Sequence, residues 1–342
     1  MRPFVYEVPM DAASAVALAS VPATAHVTAP VQYPVQYKGG GTTLIDLMKL
    51  DVMQPATVID ITAIDDPSMR RIDRTDNELR IGSLVSMAQL HADPSTVRDY
   101  PILTESLWQA ASQQLRNMAR LGGNVLQRTR CSYFRDTSYD QCNKRVPGSG
   151  CAALDGFNRG HAVLGTSEHC IALNPGDWAP ALVALDARVE MLGLSGRRTL
   201  AFADLHRLPG DTPHIETSLA PGELIMAFTI PGGPRRRSLY RKVRDRESYA
   251  FANASAAVAI DLDGDVMRDV RIGLGGVATI PWRAHRAEAL LRGQALTEAT
   301  ASAAAEAEFA DARPRGNNGY KVALGKATMV RALLDAQAME IS

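Results

Sequence analysis

Four cysteines crowd into one short stretch of this chain. The 342-residue sequence has no others, and gaps of ten, eight and eighteen residues separate them. Such confinement is hard to explain as scattered core packing, so we expect the thiols to hold one bound group. The four candidate ligands are Cys131, Cys142, Cys151 and Cys170.

Three kinds of site compete for these cysteines. A [4Fe–4S] cluster uses four thiolates and tolerates irregular spacing, and Gly148 and Gly150 would let backbone N–H groups approach sulfur. A structural zinc site usually has close cysteine pairs, about two to four residues apart, which this stretch lacks. Two disulfides or free buried thiols are the third alternative, and disulfides require an oxidising compartment. The spacing favours the cluster and leaves the other two open.

Basic side chains surround the cysteines. Their charge would suit an anionic thiolate-bound cluster, but a solvated loop face is the default interpretation of each one. The five are Arg128, Arg130, Arg135, Lys144 and Arg145.

A strand, a glycine-rich turn and a helix follow one another nearer the N-terminus. Val31–Tyr37 alternates as a strand does, and Leu44–Leu50 has helical spacing. Between them lies Lys-Gly-Gly-Gly-Thr-Thr, residues 38–43, where free N–H groups at a helix start could bind an anion. The turn matches neither the dinucleotide-binding nor the ATP-binding glycine pattern, so a plain tight turn is an equal alternative.

The middle of the chain predicts further α/β structure. A strand at Leu79–Leu84 and a helix at Ile102–Met118 precede Gly122-Gly-Asn124, which we expect to be a turn. Asp177 precedes an apolar helix and is predicted to cap it. Strands are predicted at 57–61, 187–192 and 224–230, and a linker at 231–234.

The remaining residues predict a separate unit. Two β-rich runs, Ala250–Leu262 and Val270–Ala278, are joined through Asp263-Gly-Asp265, which signals a hairpin. Helices are expected at 283–291, 298–309 and 320–338.

Composition narrows the possible functions. Basic and acidic residues balance at 37 each, which removes the electrostatic argument for binding nucleic acid or anionic membranes. The Ala-rich N-terminal segment, which extends to Ala25, is expected to be a helix rather than an export signal, since Glu7 and Asp11 precede it and no basic region does. The seven histidines are scattered and form no nucleophilic constellation. The sequence thus has residues suited to holding a bound group but shows no recognisable catalytic acid or base. This combination indicates electron transfer.

Five short motifs follow one another along the chain: Gly40-Gly-Thr42, Gly122-Gly-Asn124, Asp177 before Ala-Pro-Ala-Leu, Gly222-Glu-Leu-Ile225 and Tyr240-Arg-Lys242. In this order and at this spacing, over nearly the whole chain, they resemble the FAD-binding (medium) subunit of the molybdenum-containing xanthine dehydrogenase and aldehyde oxidase family. Lys38 and Gly176 depart from the family pattern. The four-cysteine insertion resembles the subset that binds a [4Fe–4S] cluster, which includes aldehyde oxidoreductase subunits and, more distantly, the β subunit of 4-hydroxybenzoyl-CoA reductase.

The resemblance implies an α+β fold. A two-part FAD-binding domain of the vanillyl-alcohol-oxidase (PCMH) type would occupy residues 1–60 and 61–232, with the cluster insertion at about 127–172. A C-terminal α/β domain of the CO dehydrogenase flavoprotein type would occupy residues 236–342.

The resemblance also implies the cofactor contacts. The backbone of Gly40–Leu44 would cradle the FAD pyrophosphate, Asn124 and Asp177 would hydrogen-bond flavin or ribitol groups, and Lys242 would place positive charge nearby. The full set of expected FAD-binding residues is Lys38, Gly39, Gly40, Gly41, Thr42, Thr43, Leu44, Arg120, Gly123, Asn124, Asp177, Ile225 and Lys242.

A heterotrimer follows from the same resemblance. A large subunit with a molybdenum cofactor would oxidise an aldehyde, and a small subunit with two [2Fe–2S] clusters would relay electrons to this chain. The alternatives are a subunit of an aromatic acyl-CoA reductase, or a zinc-binding scaffold with a degenerate flavin site. The chain is expected in the cytoplasm, or in the periplasm if a signal-bearing partner carries it there folded.

Overall fold

The computed structural model describes residues 1–20 and 29–341, and its N-terminal part is built on a parallel three-stranded sheet. Strands β1 (Val5–Glu7), β2 (Val35–Lys38) and β3 (Thr57–Asp60) pair in the order β1-β3-β2. Helix α2 (Leu44–Lys49) carries the chain across from β2 to β3, as a parallel connection requires. Helix α1 spans Ala12–Ala19, and the rest of the predicted helix, to Ala25, lies outside the described residues.

Strand β2 is shorter than predicted. The first residues of the predicted strand lie in a 3₁₀ turn, Pro30–Gln32, and pairing begins only at Val35. Pro34, which has no N–H to give to a ladder, stands immediately before the strand, and its carbonyl accepts the N–H groups of Ala56 and Thr57.

The second sheet is antiparallel and has five strands in the order β4-β5-β8-β6-β7. Trp178 and Phe228 meet edge to face in its core, with ring centroids 5.0 Å apart. The strands are β4 (Ile72–Arg74), β5 (Glu78–Gly82), β6 (Arg188–Gly193), β7 (Gly196–Ala201) and β8 (Leu224–Pro231). The helices of this region are α3 (Met87–Ala92), α4 (Pro94–Asp99), α5 (Pro101–Trp108), α6 (Gln113–Met118), α7 (Leu121–Asn124), α8 (Ser132–Arg135) and α9 (Trp178–Ala184).

The prediction of a single helix over Ile102–Met118 is wrong, because two helices, α5 and α6, occupy this stretch. Ala111 adopts a left-handed backbone with φ of 49°, which ends the first helix. The hydroxyl of Ser112 accepts the N–H of Leu115 and caps the second. Gly122–Asn124, predicted as a turn, lies within the one-turn helix α7.

The third sheet, in the order β12-β11-β10-β9, is buried on both faces. On β10, Ala256 and Val258 pack on the C-terminal helices, whereas Ala257 and Ala259 face the core of the second sheet. This explains a run of apolar residues without alternation. The elements are β9 (Ser238–Val243), β10 (Ala254–Asp263), β11 (Val266–Gly275), β12 (Trp282–Arg283), α10 (His285–Leu291), α11 (Glu298–Glu308) and α12 (Tyr320–Gln337).

The mixed α and β class and the predicted hairpin are confirmed. The β10–β11 hairpin turns at Gly264, which has a positive φ of 59°. Among the described helices, none has both the length and the apolar character needed to cross a bilayer.

Candidate functional site

A cavity of about 400 Å³ opens between strand β2 of the first sheet and strand β8 of the second, a volume typical of small-molecule sites. Three segments build most of its wall: the glycine loop between β2 and α2, the turn from Arg120 to Thr129, and the long connection before β8. Thr279 and Ile280 add a contribution from the C-terminal unit.

The glycine loop packs against the end of α6 more closely than any side chain allows. A Cβ on Gly40 would lie 1.9 Å from the carbonyl oxygen of Met118 and 2.5 Å from its carbonyl carbon. The next residue, Gly41, has a φ of 76°, which residues with a side chain rarely adopt. The loop therefore exposes bare backbone to the cavity.

Lys38 is fixed at the start of this loop by a polar network. Its Nζ lies 2.8 Å from Oδ2 of Asp60 and 3.1 Å from the hydroxyl of Tyr6. Partial burial opposes the lysine charge, but the hydrogen bonds to Asp60 and Tyr6 outweigh it, so the pKa of Lys38 is raised. Burial likewise opposes ionisation of Asp60, yet Lys38, Thr62 and Tyr6 lower its pKa to about 2.

We expect this network to make the protein less stable in acid. Because the pKa of Asp60 is about 2 when folded and 3.8 ordinarily, its stabilisation is fully present above pH 3.8 and is lost as pH falls through 2. Asp60→Asn should lower the unfolding free energy by about 1–2 kcal/mol at neutral pH and by almost nothing at the acid limit. Urea titrations at several pH values measure this.

The matched control is Asp51→Asn. Asp51 is also in an ion pair, with Arg2, but both side chains are largely exposed, so little change is expected at any pH. If Asp60→Asn lowered the unfolding free energy by the same amount at every pH, the lowered pKa assigned to Asp60 would be contradicted.

The predicted cofactor-binding residues divide into two groups. Ten of the thirteen line the cavity, and their contact with FAD stays a prediction. The ten are Lys38, Gly39, Gly40, Gly41, Thr42, Thr43, Leu44, Arg120, Gly123 and Ile225.

Asn124, Asp177 and Lys242 lie outside the cavity lining, which differs from the expectation. The carboxylate of Asp177 accepts hydrogen bonds from the buried Tyr240 hydroxyl at 2.6 Å and from Lys242 Nζ at 2.8 Å. Both partners in this ion pair are almost fully buried, with side-chain exposures of 5% for Asp177 and 0% for Lys242. Burial raises the pKa of Asp177 despite the nearby lysine. The pair ties α9 to β9, and the Asn124 amide points at the sulfur of Met87.

Sequence reasoning missed several polar residues of the cavity wall. Ser83 is 1% exposed, and among the described residues its hydroxyl has no hydrogen-bond partner. His206 donates from Nε2 to the carbonyl of Val125, 2.9 Å away, while its Nδ1 has no partner in the described part of the chain. Neither residue stands in a recognisable motif, and only the fold brings them to the glycine loop.

The structure brings the four cysteines together around a second, small pocket. All four are free thiols, so the disulfide alternative is not what this structure contains. Nε2 of His161 lies 3.1 Å from the sulfur of Cys131, and the backbone N–H of Ala172 donates to the sulfur of Cys170 at 3.4 Å. A backbone N–H directed at sulfur, such as that of Ala172, is a feature of iron–sulfur sites.

Burial makes two of the thiols hard to ionise without a compensating cation. It raises the pKa of Cys131 to about 12, and it also raises the pKa of Cys142. The hydrogen bond between Cys151 and Cys170 instead lowers the pKa of Cys151 to about 7 and raises that of Cys170. The pocket has a free volume of about 10 Å³, roughly one water position. Within residues 1–20 and 29–341, no three cysteine, histidine or acidic side chains stand in the arrangement that holds a single metal ion.

The expectation that the five basic side chains near the cysteines face solvent is wrong for most of them. Arg135 binds both carboxylate oxygens of Asp46 on α2, at 2.9 and 3.0 Å, and joins the cysteine segment to the glycine-loop helix. Arg145 is buried and donates to three backbone carbonyls. Lys144 and Arg128 both pair with Glu216. Arg130 alone of the five is exposed, although it too reaches Asp46.

The two pockets share a wall. Lys144, Cys170 and Ala172 line both the large cavity and the cysteine pocket. A group held by the thiols and a ligand in the cavity would therefore be separated by the thickness of a few side chains.

Comparison with known proteins identifies the family to which this fold belongs. The family described as the FAD binding domain in molybdopterin dehydrogenase matches residues 6–233. This chain belongs to that family. A second family, the CO dehydrogenase flavoprotein C-terminal domain, matches residues 238–336 of the FAD-binding subunit. The predicted order of an FAD-binding domain and a C-terminal domain of this type is confirmed.

Individual relatives agree with this membership. The FAD-binding subunit is 46% identical over 321 residues to the aldehyde oxidoreductase FAD-binding subunit of Escherichia coli strain K12, covering 93% of this chain and 96% of the relative. It is 26% identical over 303 residues to the carbon monoxide dehydrogenase medium chain of Hydrogenophaga pseudoflava, covering 86% of each.

A solved structure of carbon monoxide dehydrogenase from Hydrogenophaga pseudoflava superimposes on the FAD-binding subunit with a TM-score of 0.72, 26% identity and 99% coverage of both chains. The protein is thus an FAD-binding medium subunit of the molybdenum hydroxylases, oxidoreductases of the xanthine dehydrogenase family.

Proposed function

We propose that the chain is the FAD- and [4Fe–4S]-containing electron-transfer subunit of a molybdenum-dependent aldehyde oxidoreductase. It would take electrons from the [2Fe–2S] clusters of a small partner subunit and deliver them to an external acceptor. The observation that carries this proposal is the shared wall, which sets four converging thiols directly against the large cavity.

The cavity residues fit FAD. Gly40 and Gly41 present backbone with no side chain in the way, as a pyrophosphate requires. The hydroxyl of Ser83 and Nδ1 of His206 are polar atoms in the cavity wall without partners among the described residues, and a bound isoalloxazine or ribitol offers partners for them. FAD, when bound, supplies a two-electron carrier whose potential the protein tunes by hydrogen bonds and charge.

The donor set of the small pocket fits an iron–sulfur cluster. Four cysteines line the pocket together with Lys144. A backbone N–H donates to the sulfur of Cys170, and Nε2 of His161 lies against the sulfur of Cys131. A [4Fe–4S] cluster, when bound, supplies a one-electron carrier. Because the free volume is small, the pocket would have to widen to admit it.

The small volume favours a smaller occupant as the second candidate, a single zinc ion in a scaffold. The thiols would have to draw together around it, because no three side chains of the described residues stand in a single-ion arrangement. A zinc ion bound by four thiolates needs less room than a four-iron cluster. It would give the cysteine segment a structural role only.

The aldehyde substrate follows from the relative in Escherichia coli, whose name states that activity. Partner subunits are supported by relatives that are themselves named as medium chains or FAD-binding subunits, and a molybdenum-containing partner by the matching molybdopterin dehydrogenase family. The [2Fe–2S] clusters of a small partner are part of the proposal and rest on the resemblance alone. An aromatic acyl-CoA reductase subunit is the alternative within the same family. We also propose the division into residues 1–60, 61–232 and 236–342, which the three sheets support.

An anaerobic assay of iron, sulfide, zinc and flavin on the purified chain tests the proposal. We expect about four iron, about four sulfide and one FAD per chain, with visible absorbance that bleaches on dithionite reduction. Zinc without flavin would overturn the electron-transfer function and leave the scaffold. Flavin with zinc would retain the flavoprotein and remove the cluster.

A further inference from the structure

The wall between the two pockets contains a buried ion pair that belongs to no sequence motif. Lys144 extends from the cysteine segment, and its side chain is only 11% exposed. Its Nζ lies 2.8 Å from Oε1 of Glu216 and 3.1 Å from the carbonyl oxygen of Pro213. Arg128 pairs with the other oxygen of Glu216. Two cations and one anion are therefore fixed here, with a net positive charge.

Both ends of the pair are held in their charged forms. Burial opposes ionisation of Glu216, but Lys144 and Arg128 outweigh it, so the pKa of Glu216 stays below its usual value. Lys144 and Cys170 both line the cysteine pocket and the large cavity, so the lysine stands beside the thiols. The ion pair with Glu216 therefore fixes a cation next to the thiolate site.

We propose that Lys144, held by Glu216, is a positioning residue that raises the reduction potential of the thiolate-bound cluster toward that of FAD. The inference rests on the proposed function, because it assumes a cluster at the cysteines. Reduction adds one electron, and so one negative charge, to the thiolate-bound group. A fixed cation a short distance away stabilises that added charge, and it does so strongly where water is largely excluded.

The test is a dithionite titration of the intact chain, followed by electron paramagnetic resonance of the reduced cluster. Lys144→Gln should move the midpoint potential in the negative direction, so that at the wild-type midpoint the ratio of oxidised to reduced cluster rises about tenfold, which is 59 mV for one electron. Lys144→Arg keeps the charge and should restore the potential. Glu216→Gln removes the anion and should move the potential in the positive direction.

Lys326→Gln is the matched control. Lys326 also pairs with a glutamate, Glu306, at 2.5 Å, but it lies on α12 away from the cysteines, so its loss should leave the potential unchanged. Iron, sulfide and flavin are counted in every variant before titration.

The outcomes separate this inference from the proposed function. A Lys144→Gln chain with full iron and an unchanged potential would overturn the role of Lys144 while the electron-transfer function stands. If Lys144→Gln fails to hold iron, Lys144→Met, which also removes the charge but keeps an unbranched stem, decides: a negative shift supports the role and an unchanged potential overturns it. Absence of iron and sulfide from the wild-type chain would instead overturn the proposed function, and the inference with it.

Discussion

Replacing Gly40 with alanine is expected to strip the chain of FAD. The new Cβ would lie 1.9 Å from the carbonyl oxygen of Met118, and backbone cannot yield as a flexible side chain does. The glycine loop must therefore move away from the end of α6, and it takes the cavity wall from Lys38 to Leu44 with it. We expect flavin content to fall at least about tenfold and the unfolding free energy to drop by about 2 kcal/mol. Flavin absorbance per chain and urea unfolding measure the two effects.

Gly160→Ala is the control for this change. A Cβ there would meet nothing within 4 Å, and its backbone is not left-handed, so flavin content and stability should both be unchanged. Full flavin occupancy in Gly40→Ala would show that the loop does not contribute to the FAD site. If Gly40→Ala lowered the unfolding free energy but retained its flavin, Gly40 would have a packing role only.

Local patterns made the glycine loop predictable. A strand, a turn and a helix occupy adjacent residues, so their order along the chain already fixes their order in space. The strand boundary was less accurate, because Pro34 delays the start of β2. The cysteines were equally accessible to sequence reasoning, since a concentration of one residue type can be recognised before the fold is known.

Residues that act through long-range contacts were not predictable in the same way. Lys38 meets Asp60 because β2 and β3 are neighbours and the two residues are register partners. Nothing in the sequence states that strand order. Asp177 was expected to contact the cofactor, but β9 comes from a later part of the chain and brings Tyr240 and Lys242 to its carboxylate.

The basic residues near the cysteines illustrate the same limit. A charged side chain in a loop is most often solvated, and that default fails here because acidic partners arrive from elsewhere. Asp46 comes from α2 and meets Arg135, while Glu216 comes from the connection before β8 and meets Lys144. The cysteine segment is thereby attached to both walls of the FAD cavity by charge as well as by packing.

Cys170→Ser is expected to have a double effect that Cys151→Ser does not share. Both sulfurs line the small pocket, so each change should take iron from about four per chain to below one. Cys170 also lines the large cavity, whereas Cys151 does not, so only Cys170→Ser should weaken flavin binding as well. Iron, sulfide and flavin counts on the two variants, prepared in parallel, make the comparison.

The difference between the two variants is the informative quantity. Loss of iron in both, with flavin reduced only in Cys170→Ser, would place the cluster against the FAD site through the sulfur of Cys170. Equal flavin content in the two variants would mean that the shared wall is maintained by Lys144 and Ala172 without the cysteine. Full iron in Cys170→Ser would remove Cys170 from the ligand set, and a four-thiolate cluster could then no longer be assigned to this chain, because it has no fifth cysteine to replace it.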